Sequence, residues 1–271
     1  MMKTKVVSGK KLTVPRALLL DFGGVIVETS RVPGWEARLA RHIHELLADL
    51  KPAVDSHDVE QIASDIKAGC TADSHWKNAM SRPFAPRELR QEEFWGDFVA
   101  ADWPQKSRDA VVQQASDLCR RMGNMRSTRA LRDGILDLLD IAEAAGVQLG
   151  IVSNALSGQV HLDFLQERGL TSRFAVEIHS DAAGVRKPNP EMILLAVRRL
   201  GLVPSEAWYV GDNFDRDVLC GKRAGIGGNI LMEAEGTYHM PYDLKVAPDA
   251  IIAGPRELIQ LFQNAQRGKA A

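Results

Sequence analysis

The sequence predicts an α/β fold: a doubly wound parallel sheet carrying a large helical insertion. Three observations lead there. Short apolar runs end abruptly on polar residues, as strands buried on both faces of a parallel sheet do. Amphipathic helical patterns alternate with those runs in the C-terminal half, the pattern of consecutive βα units. Residues 31–126, 96 in all, show helical runs and no convincing strand.

In chain order, residues 1–14 read as a loose lead-in. Ala17–Leu20 is the first strand; it ends at Asp21, and Gly23 and Gly24 break it at once. The insertion follows, with amphipathic runs at Trp35–Leu50, Val59–Cys70, Arg87–Ala101 and Arg108–Met122, punctuated by Pro33, Pro52, Pro83, Pro86 and Pro104. His42, His44, Trp95 and Trp103 within it read as packing or surface residues. Leu131–Ala145 carries Leu131, Ile135, Leu138, Leu139 and Ala142 on one stripe and stops at Gly146, a helix with a glycine terminator. Strands are then expected at Val147–Val152, Phe174–Ile178, Trp208–Val210 and Gly225–Leu231, with helices at Leu156–Gly169 and Pro190–Leu200 between them. A proline is acceptable in the opening turn of the latter helix. In such a sheet the ligand crevice lies at the carboxyl ends of the strands.

Composition narrows the function. Of 271 residues, 45% are hydrophobic and 25% charged, ordinary for a globular chain long enough to fold without disulfide or metal staples. Lys and Arg number 34 against 35 Asp and Glu, and a net charge of −1 argues against a broad nucleic-acid surface. Cys70, Cys119 and Cys220 are an odd number, far apart and without a CxxC pair, so they read as buried thiols in a reducing compartment. No apolar stretch near the N-terminus is long enough for a signal peptide or membrane span, and a cytoplasmic protein is expected. Helical periodicity alone does not locate surface apolar patches, so the oligomeric state is left open.

Four strand-end or helix-entry positions carry candidate chemistry. Asp21 ends an apolar strand, where a carboxylate serves either as a turn cap or as a functional group. Ser153-Asn154 ends the next core strand before a helix, where a hydroxyl and backbone N–H groups cap that helix or hold a phosphate. Lys187, in Val185-Arg186-Lys187-Pro188-Asn189-Pro190, precedes a helix start and taken alone reads as a surface charge. Gly211-Asp212-Asn213-Phe214-Asp215-Arg216-Asp217 places clustered acids after a strand; these either cap a helix or hold a hard cation. Asp215 reads as solvent-facing.

The order of these positions is more specific than any one of them, with Lys187 34 residues after Ser153 and Asp212 25 residues later. The stretches Leu18–Val27, Gly150–Asn154, Arg186-Lys187-Pro188 and Val210–Asp217, with the closing Ala247–Ile252, resemble the four motifs and tail of the haloacid dehalogenase (HAD) superfamily. The insertion looks like the C1 helical cap of its subfamily I. The resemblance implies a Rossmann-like core formed by residues 15–30 and 127–271, a cap over 31–126, and hinges near 28–33 and 123–128. It implies Asp21 as a nucleophile forming an aspartyl-phosphate, Lys187 as neutraliser of the phosphate and of Asp21, and Ser153 as hydrogen-bond partner of the transferring group. Asn154 and Gly24 would help hold the substrate. Mg2+ would bind through Asp21, the Gly23 carbonyl and Asp212, with Asp217 in the metal set or orienting Lys187.

One departure stands out. Members that hydrolyse phosphates usually carry a second Asp two positions after the nucleophile as general acid, and here that position is Gly23. Glu28 falls in the hinge and is not expected to replace it. The expectation is a Mg2+-dependent hydrolase of a small phosphorylated metabolite. Two alternatives stay open. One is a 2-haloacid dehalogenase, which would need a cap arginine such as Arg31 or Arg38. The other is a non-catalytic phosphate- or partner-binding protein.

Overall fold

The computed structural model describes residues 5–6, 12–48, 50 and 58–270. Most of the lead-in, residues 1–4 and 7–11, lies outside the described residues, as does Pro52. The strands are β1 (Lys5–Val6), β2 (Ala17–Leu20), β3 (Val27–Arg31), β4 (Ser127–Leu131), β5 (Gln148–Ser153), β6 (Val176–His179), β7 (Ala207–Gly211), β8 (Gly228–Met232) and β9 (Ala250–Ile252). Seven form one sheet in the order β1-β9-β8-β7-β2-β5-β6. All neighbours are parallel except β1 on β9, so the lead-in contributes an antiparallel edge strand where a loose segment was expected.

The chain runs outward from β2 to β5 and β6, returns to β7 on the other side of β2, and continues to β8 and β9. The order reverses beside β2, which makes the crevice there the natural ligand site. Leu20 is in register with Ile151 on one side and Val210 on the other. The residues after them, Asp21, Val152-Ser153 and Gly211-Asp212, therefore emerge together at one end of the sheet.

Helices α6 (Ile135–Ala144) and α11 (Pro255–Ala270) cover one face, with Leu138, Leu139, Leu258 and Phe262 packed on Leu18, Leu20 and Val210. Between them in the chain come α7 (Gln159–Glu167), α8 (Ser180–Ala183), α9 (Glu191–Arg199) and α10 (Leu219–Ala224). Met192, Ile193, Ala196 and Val197 of α9 bury against Leu19, Val152 and Tyr209 on the opposite face. Alternation along β2 divides its side chains between the two cores, as the pleat requires. The predicted strands are found with shifts at their ends; β6 and β8 begin two or three residues later than the apolar runs that signal them.

The insertion has its own core. It contains α1 (Trp35–Ala48), α2 (Val59–Met80), α3 (Gln91–Glu93) running into a π-helical turn at Phe94–Val99, α4 (Gln105–Gln113) and α5 (Ala115–Arg126). Trp35, Ile43, Ile62, Phe94, Trp95 and Leu118 are buried together there, and Trp95 and Trp103 are packing residues. The insertion leaves and rejoins the sheet through β3 and β4, an antiparallel pair with Arg31 opposite Ser127 that the apolar pattern did not reveal.

Residues 83–88 of the insertion lie on the core itself. Arg87 bridges Val185, the Glu88 N–H donates to Gly184 O at 3.0 Å, and the Arg186 N–H donates to Pro86 O at 3.3 Å. Arg223 donates to the carbonyls of Pro83 (2.7 Å) and Phe84 (3.1 Å). No helix among the described residues is long and apolar enough to cross a membrane.

Candidate active site

Asp21, Lys187, Asp212 and Asp217 converge at the carboxyl end of the sheet. The Lys187 ammonium is buried, 2.9 Å from Asp21 Oδ1 and 2.6 Å from Asp217 Oδ1. It also donates to Val152 O at 3.1 Å and Tyr209 Oη at 2.8 Å. A lysine read from sequence as a surface charge thus sits at the centre of an anionic cluster. Burial disfavours its charge, but Asp21 and Asp217 outweigh that and raise its pKa.

The three acids differ in how they are held. Asp217 is saturated: Oδ1 accepts from Lys187 and from the Tyr209 hydroxyl at 2.7 Å, and Oδ2 from the N–H groups of Asp212 (3.2 Å) and Asn213 (3.0 Å). Burial works against its charge, and Lys187 and Tyr209 reverse the balance, holding it below the ordinary carboxylate range. Asp21 accepts from its neighbour's N–H, Phe22, at 2.7 Å; burial raises its pKa more than Lys187 lowers it. Among the described residues, Asp212 has no hydrogen-bond donor at its carboxylate. Burial, then the charges of Asp217 and Asp21, push it up to about 8.

Two glycines permit this crowding. Gly24 has φ +73°, and a Cβ there would stand 2.4 Å from Asp212 Oδ2. A Cβ on Gly211 would stand 2.2 Å from Asp217 Cβ. Gly24 therefore lets the turn after β2 press against Asp212, a reason for glycine independent of the substrate contact expected of it. Gly23 is different: an added Cβ meets nothing within 4 Å, and the residue lines an open cleft of about 800 Å³ with Gly24, Glu28, Arg132, Asp212 and His239. Glu28 is exposed and lies 3.6 Å from Arg132.

A divalent cation suits this donor set. One ligand oxygen from each of Asp21, Asp212 and Asp217 can be chosen so that all lie within 4.8 Å of one another. Three carboxylates face one ammonium, and Asp212 lacks any other partner, which is the imbalance a hard cation with oxygen ligands corrects.

Ser153 is buried at the end of β5, one residue beyond the level of Asp21. Asn154, expected at the substrate, turns its side chain to the main chain of Lys187. Its Oδ1 accepts from Lys187 N at 2.8 Å and its Nδ2 donates to Lys187 O at 3.1 Å, so the side chain positions the lysine. Behind it Arg186 is buried against Glu88 at 2.6 Å. Tyr209, which sequence reasoning took only as a strand residue, joins Lys187 to Asp217. Asp215 corrects an expectation: it is only 1% exposed, and neither carboxylate oxygen has a hydrogen-bond partner. Asp215 and Asp217 are two residues apart and so lie on opposite faces of the π-helical turn Phe214–Val218, and both are buried because that turn is packed among β7, β8 and α10.

Comparison with known families agrees with this geometry. Residues 15–225 match the family model described as haloacid dehalogenase-like hydrolase. The chain belongs to that family. Two curated relatives are the glyceraldehyde 3-phosphate phosphatase of Methanopyrus kandleri, 34% identical over 132 residues, and the pyrophosphatase PpaX of Bacillus velezensis, 42% identical over 91 residues. The matches span 49% and 34% of this chain but only 56% and 41% of those proteins. A solved structure described as a 2-haloacid dehalogenase from Pseudomonas syringae superposes with a TM-score of 0.57 at 20% identity, over 92% of this chain and 98% of that one. At that identity the likeness speaks for the HAD-like fold alone.

Proposed function

We propose that the protein is a phosphomonoesterase acting on small phosphorylated metabolites, with Asp21 as nucleophile and Mg2+ as cofactor. The observation that carries it is the Asp21–Lys187–Asp217 chain of contacts beside an Asp212 carboxylate that lacks a partner. Asp21 Oδ attacks phosphorus, the P–O bond to the alcohol breaks, and the phosphoryl group is carried on the aspartate until water cleaves it. Lys187 keeps Asp21 ionised and neutralises phosphoryl oxygens; Ser153 and the N–H groups after β5 hydrogen-bond the group in transfer. Asp217 and Tyr209 fix the ammonium in place. A Mg2+ held by Asp21, Asp212 and the Gly23 carbonyl would screen the anionic nucleophile from the anionic substrate. The four bonds already made by Asp217 favour the lysine-orienting role over direct ligation.

With glycine at position 23, the leaving alkoxide takes its proton from water, so substrates with acidic leaving groups should turn over fastest. The description of one curated relative as a glyceraldehyde 3-phosphate phosphatase supports this chemistry. The retained Asp212 favours phosphate over halide, since displacement at carbon needs no metal. Phosphate release from a metabolite panel with Mg2+ tests the reading, together with acid-quench trapping of phosphorylated protein. Turnover abolished by Asp21→Asn is expected; turnover that survives that change, or none in the wild type, refutes it.

A further inference from the structure

A second cavity, about 270 Å³, lies between the insertion and the core. Lys77 of α2, Arg126 at the end of α5 and Arg129 of β4 line one side, and Ser157 and His161 line the other. Both arginines are half-buried, and among the described residues neither has a carboxylate within ion-pair distance. Arg129 spends its donors on the carbonyls of Gly123 (2.9 Å) and Ser127 (3.4 Å). Burial lowers its pKa with no acid opposing the shift. Lys77 is matched by Asp73 at 2.6 Å, so that pair is neutral and the two guanidinium groups are the excess charge. Partly desolvated cations without counter-ions are costly unless a ligand supplies the anion. His161 Nδ1, on the opposite wall, is buried without a hydrogen-bond partner, another mark of a site that expects a polar ligand.

One wall residue of the cavity touches the residue next to Asp21. Ser157 follows Ser153 on the loop after β5, and the His161 ring stacks on Phe22, the residue after Asp21, with centroids 4.0 Å apart. Burial lowers the His161 pKa well below 6.5, and the charges of His179, Arg129 and Lys187 add to the effect, so both the cavity and the Lys187 site act on one ring. The cavity volume corresponds to about nine waters, enough for a carboxylate or phosphate on a short carbon chain.

We propose that this cavity binds a second anionic group of the substrate, at the end remote from the transferred phosphoryl, through Arg126 and Arg129. The inference rests on the phosphomonoesterase reading and narrows it: the substrates are short phosphomonoesters with an anionic tail.

The test compares kcat/KM for 2-phosphoglycolate and 3-phosphoglycerate (carboxylate tails) and propane-1,3-diyl bisphosphate (phosphate tail) with that for propyl phosphate, in wild type, Arg126→Gln and Arg129→Gln. The wild type should prefer at least one anionic-tailed class at least tenfold, and the better class identifies the tail. Each Gln variant should cut that preference about tenfold, and Arg126→Lys should restore part of it. Calorimetric binding of the same compounds to Asp21→Asn protein, alone and combined with each Gln change, reads the same preference without turnover. It therefore decides the inference even if the chemistry assigned to Asp21 is wrong. A wild-type preference below twofold, or one unchanged by both substitutions in protein folded by circular dichroism, overturns it.

Discussion

Glu88→Ala tests whether the insertion helps to set the lysine at the centre of the site. Glu88 reaches across from the insertion to Arg186, 2.6 Å away, and their side chains are 4% and 1% exposed. Glu88 Oε2 also accepts from the Ser180 hydroxyl at 2.5 Å, and Oε1 accepts from the Leu89 N–H at 2.8 Å. Removing the carboxylate leaves a buried guanidinium unmatched, a loss of about 3–5 kcal/mol. With a urea dependence of about 2 kcal/mol per molar, the denaturation midpoint should fall by about 2 M. Because Arg186 precedes Lys187, kcat should fall as well, and more than the loss of folded protein explains. Replacing both members by apolar residues of similar volume should recover most of the stability. A midpoint shift below about 0.5 M for Glu88→Ala would mean that the pair is hydrated in solution and that the reasoning is wrong.

Three further outcomes are expected. Tyr209→Phe removes the hydroxyl between Lys187 and Asp217; it should cost about 1 kcal/mol of stability and lower kcat severalfold with little change in KM, and an unchanged kcat would place the hydroxyl outside the mechanism. Gly23→Asp fills open space and, on the proposed function, supplies a general acid, so turnover of alkyl phosphates should rise about 100-fold, with a smaller gain on aryl phosphates; equal gains on both would rule out leaving-group protonation. His161, whose pKa is lowered by burial, stays neutral in the fold while the unfolded chain takes up a proton near pH 6.5. Its contribution to stability is therefore complete above that pH and is lost as the pH falls toward the folded-state value. Thermal melts from pH 7.5 to 5 should show the wild type losing up to about 1.4 kcal/mol per pH unit relative to His161→Gln, and parallel curves would contradict the buried neutral ring.

What could be read from the sequence follows from where charge interrupts apolar periodicity. Asp21, Ser153, Lys187 and Asp212 each break a buried strand or precede a helix, and the structure brings all four to one end of the sheet. Tyr209 could not be found that way, because an aromatic residue in a buried strand looks like core whether or not its hydroxyl is engaged. Asn154 was located, but which partner its amide would choose depends on the Lys187 loop arriving 33 residues later. Asp215 was placed wrongly because nothing in a run of acids signals that the turn carrying it is enclosed on both faces. The segment around Glu88 was hidden for another reason: Glu88 reads as the opening of the amphipathic run Arg87–Ala101 after two prolines, and only tertiary contacts show that it lies on the core.

That segment constrains how the molecule can open. Hinges at residues 28–33 and 123–128 would let the whole insertion swing about the β3–β4 pair. Such a swing would break the Arg87–Val185 bridge, the Glu88–Arg186 pair and the Arg223 bonds to Pro83 and Phe84, two of which involve buried or charge-assisted contacts. These contacts adjoin Lys187, so a rigid departure of the insertion would also disturb the ammonium that pairs with Asp21. Opening that preserves the site must leave residues 83–88 on the core and move the helices around them. The walls of the 270 Å³ cavity that come from α2 and α5 are then the parts free to shift, while Ser157 and His161 stay fixed to the sheet.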